Sequence, residues 1–218
     1  MIPTLDAGER LQHCLDALDG ADEIIVADGG SADLTRATAE AAGVRVLLAP
    51  RGRGEQLRAG AAAAGGDWLL FLHADTRLGR GWRRAVSSHL ARHPGEAACF
   101  HFRLDDSAWQ ARLVERGVSL RTRLFGLPYG DQGLLLSRAL YDAVGGYRPL
   151  PLMEDVDIVR RIGRRRIRML PADAVTSAER WRRDGWLRRS ATNLKCLILY
   201  RLGVAPEKIA RIYNTPSR

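Results

Sequence analysis

Cysteine is scarce in this 218-residue chain: Cys14, Cys99 and Cys196 are odd in number, scattered and without C-x-x-C spacing. Neither a disulfide framework nor a zinc site is suggested, and a reducing cytosol is the expected compartment. Long apolar runs are missing as well. No stretch approaches the roughly 20 residues that cross a bilayer, and the first residues lack the basic, apolar, small-residue succession of a signal peptide. Internal repeats and low-complexity linkers are absent too. What is present is ordinary for a globular protein, 46% hydrophobic and 27% charged residues, in a length that suits one well-buried domain and is short for two.

Charge is distributed unevenly. Residues 160–218 hold 16 Lys/Arg against 4 Asp/Glu, a balance of +12, whereas residues 1–159 hold 18 against 21, or −3. The basic block suits nucleic acid, an anionic membrane surface, an anionic substrate, or a solvated arginine-rich face. Few aromatic residues interleave these arginines, so a stacking platform for nucleic acid is not expected.

Hydrophobic patterning gives the architecture. Trp68 to Leu72 is an uninterrupted apolar run that fits a strand covered on both faces, and it leads into His73-Ala74-Asp75. Two similar short runs precede it, Glu23–Ala27 and Val44–Leu48. Helical spacing separates them, with Leu11, Leu15 and Leu18 before the first, a stretch to about Ala42 capped by Ser31 or Asp33 after it, and an alanine-rich helix ending near Gly65-Gly66. Only Met1 and Ile2 precede Pro3-Thr4, so the first strand is expected to be short. This alternation predicts an α/β fold with a mostly parallel central sheet flanked by helices, and right-handed crossovers set the loops at Asp28, Arg51 and Asp75 along one edge. Farther on, the pattern predicts a helix from about Trp82 to His93, a strand over Ala97–Leu104 and a helix from about Trp109 to Leu124. Then come a glycine-rich cluster at Tyr129–Gly133, an apolar run at Leu134–Leu136, a helix opening at Met153-Glu154-Asp155, and an amphipathic helix over Trp186–Leu202.

The polar residues at the strand ends are the candidate site, because ligands of open α/β sheets bind beyond the carboxyl ends of the strands. Asp75 has the chemistry to ligate a hard divalent cation together with phosphate and water. His73 suits a ribose or diphosphate hydrogen bond; an ordinary polar loop explains both residues equally well. Asp28 before Gly29-Gly30 is placed to bond a base edge or ribose hydroxyl, although the local features lean to a capped turn. The Gly-x-Gly-x-x-Gly fingerprint is absent from this turn, which argues against a nicotinamide enzyme. Arg51 and Arg53 lie among glycines, where guanidinium groups can pair with a diphosphate or simply edge a surface loop. Glu154 and Asp155 offer a general base or two helix-start acids.

Taken in order, Ile2-Pro3-Thr4-Leu5-Asp6, Ile24–Ser31, Gly52-Arg53-Gly54, Phe71–Asp75, Gly130-Asp131-Gln132-Gly133 and Met153-Glu154-Asp155 resemble the family-2 glycosyltransferases of the GT-A fold, in particular a small bacterial subgroup. The resemblance covers nearly the whole chain. It implies an inverting, metal-dependent transfer of a sugar from a nucleotide-diphosphate donor to a hydroxyl acceptor. Pro3, Thr4, Asp6 and Asp28 would hold base and ribose, with Arg53 on the diphosphate side and His73 near the ribose. Asp75 stands at the last Asp of the family's Asp-x-Asp motif and would ligate Mg²⁺ or Mn²⁺; His73 replaces the first Asp, so one negative charge is lost there. Asp155 would be the base with Glu154 as its understudy, and Asp131, Gln132, Arg180 and Trp181 would meet the sugar or acceptor. Arg180-Trp181 is similar to the Arg-Trp of processive members, but Ser177 stands where those have Gln. The implied organisation is one domain: a nucleotide half (1–105), an acceptor and catalytic half (106–175) and a basic C-terminal helical region (176–218). The protein would be cytoplasmic, with the basic region free to dock on an anionic inner leaflet beside a lipid-linked acceptor. Two rivals are a nucleotidyltransferase, for which the Lys-containing glycine loop after the first strand is missing, and a basic membrane- or nucleic-acid-binding module without transferase activity.

Overall fold

The computed structural model describes residues 1–214 of the chain. Three short strands, β1 (Ile2–Thr4), β2 (Ile25–Asp28) and β3 (Arg45–Leu48), pair in parallel in that order. The connections are α1 (Gly8–Asp16), whose Leu11, Cys14 and Leu15 are buried, and α2 (Thr35–Ala41). After α3 (Arg53–Ala63) the chain enters β4 (Trp68–Phe71). The Met1 amine donates to the Leu70 carbonyl at 2.9 Å and the Leu72 N–H to the Met1 carbonyl at 3.0 Å, so β4 extends the parallel half beside β1. Both faces of β4 are covered: Leu69 and Phe71 belong to one core cluster, while Trp68 and Leu70 lie against the other.

Beyond β4 the sheet is mixed. The strands β5 (Thr76–Leu78), β6 (Ala97–Leu104), β7 (Leu134–Ser137) and β8 (Ile167–Thr176) join it in the order β4-β7-β6-β8-β5. The β4/β7, β6/β7 and β5/β8 pairs are antiparallel and β6/β8 is parallel. The parallel half was legible in the alternation of strand and helix; these antiparallel additions were not. The register of β6 against β8 shifts between Cys99 and His101, and Pro171 lies on β8 at this irregularity. A proline inside an apolar stretch argues against a strand by pattern, and a bulge is where a sheet accepts its missing N–H. This is why β8 escaped the sequence reading.

Helix α4 (Trp82–Arg92) lies between β5 and β6, and α5 (Trp109–Phe125) follows β6 and ends at Gly126 with φ 58°. The short α6 (Arg138–Ala143) leads to α7 (Glu154–Ile162), and the C-terminal region folds as α8 (Glu179–Asp184), α9 (Trp186–Arg201) and α10 (Pro206–Asn214). Helix α10 anchors through Ile209, which is fully buried. Helix α9 buries Arg189, Cys196 and Leu197 but leaves Leu187, Leu194 and Ile198 exposed, so its apolar residues do not all face the core. None of the described helices is long and apolar enough to cross a membrane.

Candidate active site

The loops after β1 and β2 are built as one hydrogen-bonded unit. Asp28 is 0% exposed; its Oδ1 accepts from the Thr4 hydroxyl at 3.0 Å and from the Ser31 hydroxyl, while its Oδ2 accepts from the N–H groups of Gly30 (3.1 Å) and Ser31 (2.9 Å). Burial raises its pKa, but the bonds from Ser31, Thr4 and Gly30 outweigh that and the net shift is downward. The bonds to Asp28 thus come from its own loop and from Thr4, the capped turn toward which its local sequence leans. Asp6 takes φ 50°, uncommon for a side-chain residue, and its carboxylate accepts from the Ala32 N–H at 2.9 Å. Pro3 is partly exposed beside Thr4, which is buried. Gln56, which carries no signal in the sequence, donates to the carbonyls of Thr4 (2.5 Å) and Ala27 (2.9 Å) and so fixes α3 beneath these loops.

Glycines set how closely α3 approaches the loop before the acidic pair. A Cβ on Gly54 would lie inside the Arg148 carbonyl and 2.9 Å from the Leu150 N, so only glycine lets α3 lie against that backbone. The approach delivers Arg53 to Glu154, with Nη1 3.3 Å from Oε1. Glu154 is only 1% exposed, its second oxygen has no partner among the described residues, and burial raises its pKa. The pair is thus a buried strut beside the cleft. Glu154 has no outward face for an acceptor, which separates it from its neighbour.

Asp155 does have one. Its Oδ2 accepts from the Gly130 N–H at 2.9 Å and its Oδ1 from the Val156 N–H at 2.7 Å, so the start of α7 and the Gly130-Asp131-Gln132 turn are tied together. Met153, immediately before, holds φ 68° with a buried side chain, a strained conformation at the point where the acidic pair emerges. A Cβ on Gly130 would overlap Nε2 of His73, so this glycine also makes room for the imidazole. Burial, reinforced by the Arg53 charge, pushes the His73 pKa down to about 3, leaving the ring neutral. Asp75 follows in the turn into β5, where the Thr176 hydroxyl lies 3.5 Å from its Oδ1.

Asp131 and Gln132 diverge. Gln132 is 0% exposed; its amide donates to the Phe100 carbonyl (3.1 Å) and accepts from the Thr122 hydroxyl (3.0 Å) and Arg121 (3.3 Å). It is spent on the fold and does not reach the cavity, contrary to its expected contact with sugar or acceptor. Asp131 lines the cavity with an unpartnered buried Oδ1, and burial lifts its pKa to about 6 despite Arg121. Trp181 is buried against Phe102 with its indole N–H unpartnered among the described residues, and Arg180 donates to the Tyr213 hydroxyl at 3.3 Å. Arg53, His73, Asp75, Asp131, Asp155, Arg180 and Trp181 all line one cavity; Pro3, Thr4, Asp6 and Asp28 lie outside it, on the loops after β1 and β2. The cavity's contributors thus run from Arg53 on α3 to Tyr213 on α10.

A family model described as glycosyl transferase family 2 matches residues 1–148. The chain belongs to glycosyl transferase family 2. The fold is the GT-A fold, shared with solved structures of low sequence identity. One is glucosyl-3-phosphoglycerate synthase from Mycobacterium tuberculosis with Mn²⁺, UDP and glucosyl-3-phosphoglycerate, at TM-score 0.55 and 24% identity over 81% of this chain and 68% of that one. Another is S. aureus TarS residues 1–349 with UDP-GlcNAc, at TM-score 0.63 and 16% identity over 80% of this chain and 57% of that one. No curated protein sequence matches the chain.

The match to family 2 stops at residue 148, so Glu154, Asp155, Arg180 and Trp181 lie beyond it. Arg189 and Tyr213 also line the cavity and were not anticipated. Arg189 lies buried over the Tyr213 ring, 4.3 Å from its centroid, and bonds its hydroxyl. Nothing local distinguishes Arg189 from the other arginines of the basic block; only helix packing turns it inward. For a divalent metal, no group of three His, Cys, Asp or Glu among the described residues forms a cage. Asp75 is a partly buried carboxylate in the cavity whose side chain is met only loosely, by the Thr176 hydroxyl at 3.5 Å. One carboxylate completed by phosphate and water is how Mg²⁺ is commonly held, so the donor set fits an ion that arrives with a diphosphate.

Proposed function

We propose that this family-2 member is an inverting glycosyltransferase that moves a sugar from a nucleotide-diphosphate donor to a hydroxyl acceptor. The observation that carries the proposal is the seating of Asp155 against the Gly130 N–H, in the same cavity as Asp75, His73 and Arg53. That hydrogen bond fixes the carboxylate, leaving its charge to draw a proton from an acceptor hydroxyl. The deprotonated oxygen forms its bond to the anomeric carbon as the bond to the diphosphate oxygen breaks, and the electron pair leaves with the diphosphate. Mg²⁺ or Mn²⁺ held by Asp75 would supply charge neutralisation at that leaving group. Arg53 contributes a second positive charge on the same side. His73 stays neutral and offers a hydrogen bond where a carboxylate would offer charge.

On this reading Pro3, Thr4 and Asp6 flank the base and ribose, Asp28 shapes their loop, and Asp131, Arg180 and Trp181 face sugar and acceptor. One solved relative carries Mn²⁺, UDP and glucosyl-3-phosphoglycerate and another carries UDP-GlcNAc, which supports a nucleotide sugar and a divalent ion here. The division into residues 1–105 for the donor, 106–175 for catalysis and 176–218 as a basic helical region belongs to the same proposal. So does a cytosolic location with the basic region against an anionic leaflet.

The test is a thermal-shift panel of nucleoside diphosphates with and without Mn²⁺, repeated on Asp75→Ala. Wild type should be stabilised by one nucleotide in a metal-dependent way and the variant should not; an equal response from both removes Asp75 as the ligand. Wild-type transfer by Asp155→Asn would remove the base.

A further inference from the structure

Between α5 and α9 runs a groove of about 1140 Å³, lined by Trp109, Leu113, Leu120, Leu124, Leu194 and Ile198 among others. All six are exposed, several of them more than half so, which concentrates apolar surface in one concave place. The groove adjoins the catalytic cavity, and Tyr129, Asp131, Trp181 and Asn193 line both. Two buried polar atoms without partners among the described residues belong to residues at this junction, the Trp181 indole N–H and Asp131 Oδ1. One is a donor and the other an acceptor. An alcohol accepts one hydrogen bond and donates another, which is the complement of this pair. Apart from Asp131, the charged side chains lining the groove are Arg121, Arg188 and Arg201, so a negative charge on the occupant is tolerated and a positive one is not.

We infer that the acceptor is an amphiphilic alcohol whose long apolar chain lies in the α5/α9 groove, with its hydroxyl at the junction facing Asp155. Helix α5 is 17 residues long, roughly 25 Å at 1.5 Å per residue, which suits an extended lipid chain and exceeds what a sugar or small acid needs. The inference rests on the transferase reading and specifies its acceptor class.

The probe is 12-doxyl-stearate below its micellar concentration, whose nitroxide quenches nearby indoles; Trp109, Trp181 and Trp186 line the groove. Wild type should show saturable quenching that dodecyl maltoside reverses and maltose does not. The double variant Leu120→Glu/Leu194→Glu changes exposed positions and should bind at least tenfold more weakly, while its thermal response to nucleotide plus Mn²⁺ stays as in wild type. Absence of saturable quenching, or equal quenching of the variant, overturns the inference. Quenching that requires phosphatidylglycerol vesicles assigns the face to a membrane and overturns it, as does a wild-type dimer that the variant dissociates without any probe binding. Loss of the nucleotide response alone, with quenching intact, removes the transferase reading and leaves the chain site standing.

Discussion

Replacing Asp131 by Asn should make the protein more stable and less active, and the gain in stability should depend on pH. Burial lifts this carboxyl from 3.8 to about 6, against the opposing pull of Arg121. At ~1.4 kcal/mol per pH unit, that difference corresponds to a penalty of about 3 kcal/mol on the ionised folded form. The unfolded chain releases the proton near 3.8 and the folded chain near 6. The contribution of Asp131 to stability is therefore fully present below 3.8 and is lost as the pH rises through 6. Asn keeps the volume but cannot ionise, although its amide atoms are still desolvated, so about 1–2 kcal/mol of the penalty should be recovered at pH 7. Urea denaturation with a chelator present, at pH 7 and pH 4, reads this directly. The variant should unfold at higher urea than wild type at pH 7 with an unchanged m-value, and the two should converge at pH 4. A variant no more stable at pH 7, or a gain that persists unchanged at pH 4, refutes the reasoning. Transfer should fall, because the unpartnered oxygen is exchanged for a group that no longer attracts a hydroxyl proton in the same way.

Three other substitutions probe the supports of the site. Gly54→Ala forces a methyl into the Arg148 carbonyl and should cost about 2–3 kcal/mol in chemical denaturation; wild-type stability would show that the α3 approach is not needed. Gly130→Ala displaces His73 and shifts the N–H that seats Asp155, so steady-state transfer should drop on the order of 10²-fold with secondary structure by circular dichroism unchanged. Arg53→Met leaves the buried Glu154 charge without its counter-charge and should cost about 3 kcal/mol, and adding Glu154→Gln should recover part of it. No recovery in the double variant would mean that the pair does not act as a unit.

The sequence by itself determined the parallel half of the fold and the segments that meet at the cavity. Apolar runs of strand length separated by helical spacing admit few arrangements, and right-handed crossovers then place the loops at Asp28, Arg51 and Asp75 on one edge. It also picked out the Gly130–Gly133 turn and the Glu154-Asp155 pair, since glycines and acids clustered beside apolar runs have few structural duties. It could not divide the neighbours. Gln132, expected at the sugar or acceptor, turns inward and spends its hydrogen-bonding capacity on the protein, and Asp28 does the same in the capped turn toward which its local sequence leaned. Glu154 and Asp155 are adjacent, yet one is sealed against Arg53 and the other opens to the cavity. Such choices follow from which way a side chain points, and on α7 that is set by residues far away in sequence, Gly54 and Gly130 among them. The β6/β8 irregularity hid behind Pro171 for a similar reason: a proline is tolerated only because a partner strand supplies a bulge. The inward turn of Arg189 and the groove between α5 and α9 were also decided by tertiary packing, because a concave surface belongs to two helices together and is written in neither alone.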